Sequence, residues 1–269
     1  MMERQDIQKK IGELDMQDVA AEVVCNYFSD EGWSRTSVYV PSEMELTIYI
    51  NQKALVTILC TAAKLNYLVL GYLYAEGIIS GVGDVASIRV SEEESLADVR
   101  LNNSGYELPA LKRLGCSGSS VFKTQGQKVE SDLVVTPLEV LSLMKQFQEQ
   151  MVLYPHSGGV HTSALSDTRN LLVVAEDIGR HNTLNKIQGE CLLYGISTRD
   201  RLLLITGRIS SEMLLKAAKM QVPVVVSRHA PTKNAILLAR DMGIALVGKA
   251  RGDRLAVFTH PERLGCSTD

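Results

Sequence analysis

The sequence has no apolar run near the roughly 20 residues that a membrane-spanning helix needs. It also has no excess of positive charge, and no pair of cysteines at a spacing that metal sites use. Each of these gaps removes a class of function. Lys and Arg number 28 against 31 Asp and Glu, for a net charge of -3 and a pI near 6.0. A partner for duplex nucleic acid would carry a basic domain or tail, and neither is present. Five cysteines, Cys25, Cys60, Cys116, Cys191 and Cys266, lie scattered along the chain. An odd, dispersed set speaks against a disulfide framework and for a reducing compartment. With no C-x-x-C or H-x-x-x-H pair, a structural zinc site has nowhere to begin. Met1 to Lys10 is polar and of mixed charge, unlike an export signal, so the expected location is the cytoplasm. No internal repeat or long low-complexity tract interrupts the chain.

What is present is ordinary for a globular protein: 269 residues, 45% hydrophobic and 22% charged. That length suits one large domain, or a main domain with a smaller companion. Alternation at Ser37–Val40 and Met44–Ile50, then an apolar run from Ala54 to Cys60, predicts strands. A helix is expected over Leu65 to Glu76, closed by Gly77. Short strands follow near Ile88–Val90 and Val99–Leu101. Residues 1–115 therefore read as a small β-rich part with one helix. The Gly- and Ser-rich run from Gly115 through Ser120, and the polar residues up to Ser131, predict an exposed loop over 116–131. Residues 132–269 then change character. A helix begins at Pro137, and strands at Leu171–Ala175, Leu202–Ile205, Val222–Val226 and Ile244–Val247 alternate with helices at Thr183–Tyr194, Ser211–Met220 and Thr232–Met242. The expectation is an α/β domain on a largely parallel, buried sheet.

In such a sheet ligands bind beyond the carboxyl ends of the strands. Four segments fall there: Glu176–Asn182, Thr206–Ser211, Ser227–Thr232 and Gly248–Arg254. All four carry Arg (Arg180, Arg208, Arg228, and Arg251 with Arg254) and three carry Gly. Glycine admits close backbone approach, and the guanidinium fork matches phosphate. An anionic, nucleotide-like ligand is the natural expectation. His181 and His229 lie in these segments as candidate phosphate donors or proton carriers. His161, after Gly158 and Gly159, fits either a structural or a functional role, and His260 fits a structural one near the end of the chain. Cys116, flanked by Gly and Ser, is either an incidental loop thiol or an exposed carrier of reactive sulfur. Cys25, Cys60 and Cys191 sit in apolar runs and are expected in the core, with Cys266 at the frayed end.

Several of these segments resemble the FdhD/NarQ family: Gly158-Gly159-Val160-His161, the run Glu176–Asn182, Gly207-Arg208-Ile209-Ser210-Ser211-Glu212-Met213, Ala230-Pro231-Thr232, Arg251–Arg254 and the ending Thr259–Arg263. They follow the family's order from about 155 to 264. The resemblance implies a cytidine-deaminase-like layered α/β domain beside the β-rich part. It implies an accessory sulfurtransferase that takes sulfur from a cysteine desulfurase. That sulfur passes to the molybdenum cofactor, bis-molybdopterin guanine dinucleotide (Mo-bis-MGD), for the catalytic subunit of formate dehydrogenase. The cofactor is cargo, no structural metal is implied, and members form homodimers. Cys116 matches the position of the persulfide-bearing cysteine. Lys249, Ala250, Arg251, Gly252, Asp253 and Arg254 match the cofactor-binding segment, joined by Gly207, Arg208, Arg180 and His181 from the strand-end segments. One departure stands out: the family often has a second cysteine three positions on, where this chain has Ser119. A cofactor-binding chaperone that passes no sulfur is the alternative. A zinc deaminase is excluded, because Thr162 and Ser163 follow His161 where H-x-E is required and no P-C-x-x-C occurs.

Overall fold

The computed structural model describes residues 19–103, 112–114 and 127–266. Strands β1 (Ala20–Ser29) and β2 (Gly32–Pro41) form a two-stranded antiparallel arm that pairs with no other strand among the described residues. A five-stranded sheet follows, with β3 (Met44–Ile50), β4 (Lys53–Cys60), β5 (Val85–Ser91), β6 (Leu96–Leu101) and β7 (Lys112–Leu114) in the order β5-β6-β3-β4-β7. Helix α1 (Leu65–Ala75) covers it, and Leu68, Val69 and Leu73 pack on Leu46, Ile48, Val56 and Ile58. The strands and helix expected in the first part all form.

The second sheet has six strands in the order β13-β12-β11-β10-β8-β9. They are β8 (His161–Ser166), β9 (Leu171–Asp177), β10 (Leu202–Ile205), β11 (Val224–Ser227), β12 (Ala245–Arg251) and β13 (Arg254–Thr259). The architecture is α/β as expected, but "largely parallel" is wrong. Only β10, β11 and β12 are mutually parallel neighbours; β8, β9 and β13 join through antiparallel pairs. Strand β8 hid behind a double glycine, and β13 behind a segment rich in Gly, Asp and Arg. Both are joined to a neighbour by a tight turn, which needs no intervening helix to announce it.

Alternation along the strands splits the core in two. Leu165, Val173, Leu203, Ile205, Val225 and Leu246 face α4 (Arg180–Tyr194), α5 (Ser211–Lys219) and α6 (Lys233–Met242). Ala164, Val174, Leu202, Leu204, Val224 and Val247 face α2 (Pro137–Glu149). Helix α2 starts on a capping box: Thr136 Oγ1 accepts from the Glu139 amide, while the Glu139 carboxylate accepts from the Thr136 amide. Short helix α3 (Leu153–Ser157) links α2 to β8. Among the described residues no helix is long and apolar enough to cross a membrane. Cys60 and Cys191 are buried as expected, but Cys25 is half-exposed on the arm. Its apolar surroundings mark an uncovered ribbon, so its expected core position is corrected.

The two sheets are joined where α1 crosses α4. Gly71 and Gly189 face the opposing backbone directly, each against a carbonyl of the other helix, Asn185 and Tyr67 respectively. A side chain at either position would overlap that carbonyl, so the helices touch at backbone distance. Glycine costs a helix interior about 1 kcal/mol relative to Ala, which this approach offsets. Around the crossing, Lys64 donates to Glu190 (2.7 Å) and to the Val174 carbonyl (2.9 Å). Lys219 donates to the carbonyls of Tyr74 and Ala75 at the end of α1, where a cation suits the helix dipole. Gly71→Ala or Gly189→Ala should each cost about 3 kcal/mol through overpacking. Gly83→Ala, with open space around it, should stay within about 0.5 kcal/mol. Urea denaturation of the three variants checks this, and equal midpoints would refute the close crossing.

Candidate functional site

Strands β9, β10, β11 and β12 all run toward one edge of the second sheet, and antiparallel β8 starts there. The four Arg-bearing segments and the Gly-Gly-Val-His segment therefore meet. Between them lies a cavity of about 370 Å³ lined by Tyr154, Gly158 to His161, Thr206 to Arg208, and His229.

Its walls are fixed by strand-end hydrogen bonds. Thr206 Oγ1 accepts from the Thr162 amide and the Thr206 amide donates to the Thr162 carbonyl, both at 3.0 Å. Ser227 Oγ donates to the Gly207 carbonyl (2.6 Å) and accepts from the His229 amide (2.9 Å), tying two loops together. Gly207 packs closely here: a Cβ would come within 3.2 Å of the His161 ring, which would have to give by a few tenths of an ångström. Arg251 Nε donates to the Arg228 carbonyl (2.9 Å), and its guanidinium lies 3.4 Å from the His229 ring. The cations Arg208 and Arg251 thus both stand near the His229 ring.

The histidines there are held neutral. Burial, then the Arg180 charge, push the His161 proton affinity below its ordinary value. Burial and the guanidinium of Arg251 do the same to His229, with Arg228 and Arg208 adding to it. Neutral rings can accept or donate a hydrogen bond, while the arginines supply the charge. The Nε of Arg180 is buried without a hydrogen-bond partner among the described residues. An orphaned guanidinium nitrogen beside a cavity of this kind fits a missing anionic partner.

The expected residues divide in several ways. Gly207 and Arg208 line the cavity, and Arg180 and Arg251 flank it. Arg180 and His181, expected in a loop, instead open α4. The His181 ring is 1% exposed, and its Nε2 lies 3.3 Å from Glu212 on α5. Burial first, then the charges of Lys216 and Arg180, push its proton affinity down to about 3. With the ring neutral, that contact is not an ion pair. Lys249 is exposed with a left-handed φ of 53°, and Ala250 is buried against the α2 face. Asp253 and Arg254 stand 91% and 89% exposed at the turn after β12, around Gly252. Cys116 and Ser119 lie outside the described residues. His161, open between two roles in the sequence, lines the cavity. Thr206, which opens one of the four expected segments, joins it there, and so does Tyr154, which was unforeseen because its residue type carries no signal without the fold.

The run Glu176–Asn182 is chiefly a joint. The Glu176 carboxylate accepts from the amides of Val152, Leu153 and Tyr154 and from Thr162 Oγ1, capping α3 and holding the glycine wall of the cavity. Asp177 and Lys186 form a fully buried pair at 2.6 Å. Asp177 also accepts from Thr61, Gly179 and Asn182, while Lys186 donates to the carbonyls of Thr61 and Glu176.

These motifs decide the family, since the FdhD/NarQ profile matches residues 41–265. The chain belongs to the FdhD/NarQ family. Proteins named sulfur carrier protein FdhD from Halalkalibacterium halodurans and Bacillus subtilis are 39% and 37% identical to it. The matches span 84% and 83% of this chain and 88% and 89% of theirs. One of that name from Staphylococcus aureus strain Newman is 34% identical over 90% of this chain and 94% of its own. A crystal structure from Desulfotalea psychrophila, assigned as a formate dehydrogenase accessory protein, shares the fold. Its TM-score is 0.77 at 24% identity, over 91% of this chain and 99% of that one.

Two outcomes follow for the joint. Lys186→Met should cost about 3–5 kcal/mol, because it strands a buried carboxylate; chemical denaturation reads this directly. His181 should impose a pH slope. The unfolded chain binds a proton near pH 6.5, whereas the folded ring refuses it down to about 3. The ring's contribution is therefore intact above pH 6.5 and drains away as pH falls toward 3, at up to about 1.4 kcal/mol per unit. His181→Gln should flatten that slope, and an unchanged slope would mean the native ring titrates normally.

Proposed function

We propose that this chain carries sulfur on Cys116 as a persulfide and delivers it to Mo-bis-MGD held at the strand-end cavity, before that cofactor enters the catalytic subunit of formate dehydrogenase. The observation that carries the reading is the cavity edge itself. Neutral His161 and His229, the Arg208 cation and the Gly207 backbone line one concave space, which is flanked by Arg251 and by Arg180, whose buried Nε is unpartnered among the described residues. A guanine dinucleotide offers the phosphates and ring edges that such a set recognises. The relatives' name, sulfur carrier protein FdhD, supports the sulfur half of the reading. The Desulfotalea psychrophila protein's assignment as a formate dehydrogenase accessory protein supports that dehydrogenase as the recipient.

Sulfur would enter when the Cys116 thiolate attacks the outer sulfur of a cysteine desulfurase persulfide. The S–S bond of the donor breaks, its cysteine leaves as thiolate, and Cys116 keeps the sulfur. At the cavity, Arg208, Arg251 and Arg254 anchor anionic groups, so that orientation rather than acid–base chemistry is the protein's contribution. Lys249 to Arg254 extend that anchor along the β12–β13 turn. The proposed compartment is the cytoplasm, the proposed assembly a homodimer, and the second domain's layering of cytidine-deaminase type. Ser119, three positions after Cys116, favours a second reading: a chaperone that holds the cofactor for the dehydrogenase and passes no sulfur.

Intact-protein mass spectrometry after incubation with a cysteine desulfurase and cysteine separates the two. A gain of one sulfur atom, lost in Cys116→Ala, supports the carrier, while no gain or one untouched by the substitution supports the chaperone. With GDP as probe in calorimetry, Arg208→Ala and Arg251→Ala should each weaken binding about tenfold, the loss of one charge-assisted contact, and Cys116→Ala should leave it unchanged. GDP affinity indifferent to both arginines would move the ligand away from this cavity.

A further inference from the structure

Strand β12 passes close to the 228–230 segment. The Lys249 amide donates to the His229 carbonyl (3.3 Å), and Arg251 Nε donates to the Arg228 carbonyl (2.9 Å). The second bond holds the guanidinium beside the His229 ring. Its Nη2 stands 3.4 Å from Nδ1 of that ring and 3.5 Å from Nε2. Near-equal distances to both ring nitrogens fix where Nη2 lies. An atom in the ring plane at those distances would overlap a ring carbon, so Nη2 sits over the face. The contact is a guanidinium laid on an aromatic face, not a hydrogen bond in the ring plane.

The stack uses only one side of His229. The residue is exposed and lines the cavity, whereas Arg251 does not line it. The guanidinium therefore backs the ring from outside, and the opposite face is open to the cavity. Burial, then the Arg251 charge, hold the ring neutral. A flat neutral ring backed by a cation is a surface on which a planar heterocycle stacks. Arg208 and the Gly207 backbone line the same space, and a guanidinium fork with open backbone suits phosphate oxygens instead. The cavity thus offers one wall to a ring and another to an anion.

We infer that the guanine base of the bound nucleotide lies flat on the open face of His229, in a stack of base, imidazole and guanidinium, while Arg208 takes a phosphate. This assignment rests on the nucleotide reading of the cavity and goes beyond it by stating which end of the ligand each wall receives. His229 is then a specificity-determining residue: it favours flat conjugated rings and gives nothing to a bare phosphate chain.

Calorimetry of the full chain with two probes, GDP and inorganic pyrophosphate, tests this. His229→Ala should weaken GDP binding about tenfold, within the range for one base–aromatic stack, and leave pyrophosphate binding unchanged. His229→Phe keeps a flat face and removes both ring nitrogens, so it should recover most of the GDP affinity. Arg251→Lys keeps the charge and loses the plane, and should weaken GDP while sparing pyrophosphate. Arg208→Ala should weaken both probes. GDP affinity that responds to Arg208→Ala but not to His229→Ala would sink the stack alone. Equal losses of both probes in His229→Ala would make the residue a phosphate contact, and a phenylalanine that fails to rescue would make it a hydrogen-bonding edge; either overturns the inference. A His229→Ala loss seen with neopterin but not with GDP would overturn the assignment to guanine. If neither GDP nor pyrophosphate binds the wild-type chain, the nucleotide reading falls and the stack falls with it.

Discussion

The molecule turns on one buried ion pair. Asp177 and Lys186 are both inaccessible to solvent, and taking two charges out of water is tolerable only when every remaining donor and acceptor is satisfied. Here they are satisfied by different parts of the fold. Thr61, just past β4, donates its amide to Asp177, accepts from Lys186 through its carbonyl, and takes the Ile178 amide on its hydroxyl. Asn182 bridges Asp177 to the Leu59 carbonyl. The first sheet, the end of β9 and the start of α4 are thereby held at one point. The neighbouring Glu176 extends the hold to α3, and through α3 to the arm and the glycine wall of the cavity. Hydrophobic burial gives each sheet its core, but the polar joint sets how the two halves meet.

That joint explains what could and could not be read from the sequence. Strands β3, β4, β10, β11 and β12 are legible because local alternation and β-branched runs report their own burial. The edge where ligands should bind is legible too, since Gly and Arg recur after each strand. The use of Glu176 and Asp177 is not. A Glu-Asp pair beside Gly, Arg and His looks like site chemistry, and only the fold shows amides from residues 152–154 converging on one carboxylate and Lys186 rising from α4 to meet the other. Strands β8 and β13 were missed for a related reason: their partners lie one tight turn away, and no change of period separates them. Gly71 and Gly189 gave no warning either. A glycine in a helical run costs the same whether it faces water or another backbone, and only tertiary contact tells the two apart.

Electrostatics sort the chain's nucleophiles and its cavity into distinct roles. Burial, then the Glu190 charge, raise the Cys191 thiol to about 12, which leaves it inert at neutral pH. Within the cavity wall, His161 and His229 stay neutral because burial penalises the charged ring and nearby guanidinium groups repel it. Permanent charge comes from arginine and directional hydrogen bonding from histidine.

The backbone-to-backbone crossing of α1 and α4 also bears on how the chain is made. The groove around Gly71 accepts only the Asn185 backbone, which the ribosome supplies 114 residues later (185 − 71). At about 5–20 residues per second, the apolar back of α1 waits on the order of ten seconds before its cover exists. The first sheet and the face of α1 that packs on it can form in that interval, but the crossing with α4 can close only after the second half has emerged. The close crossing that fixes the two halves thus ties completion of the first half to synthesis of the second.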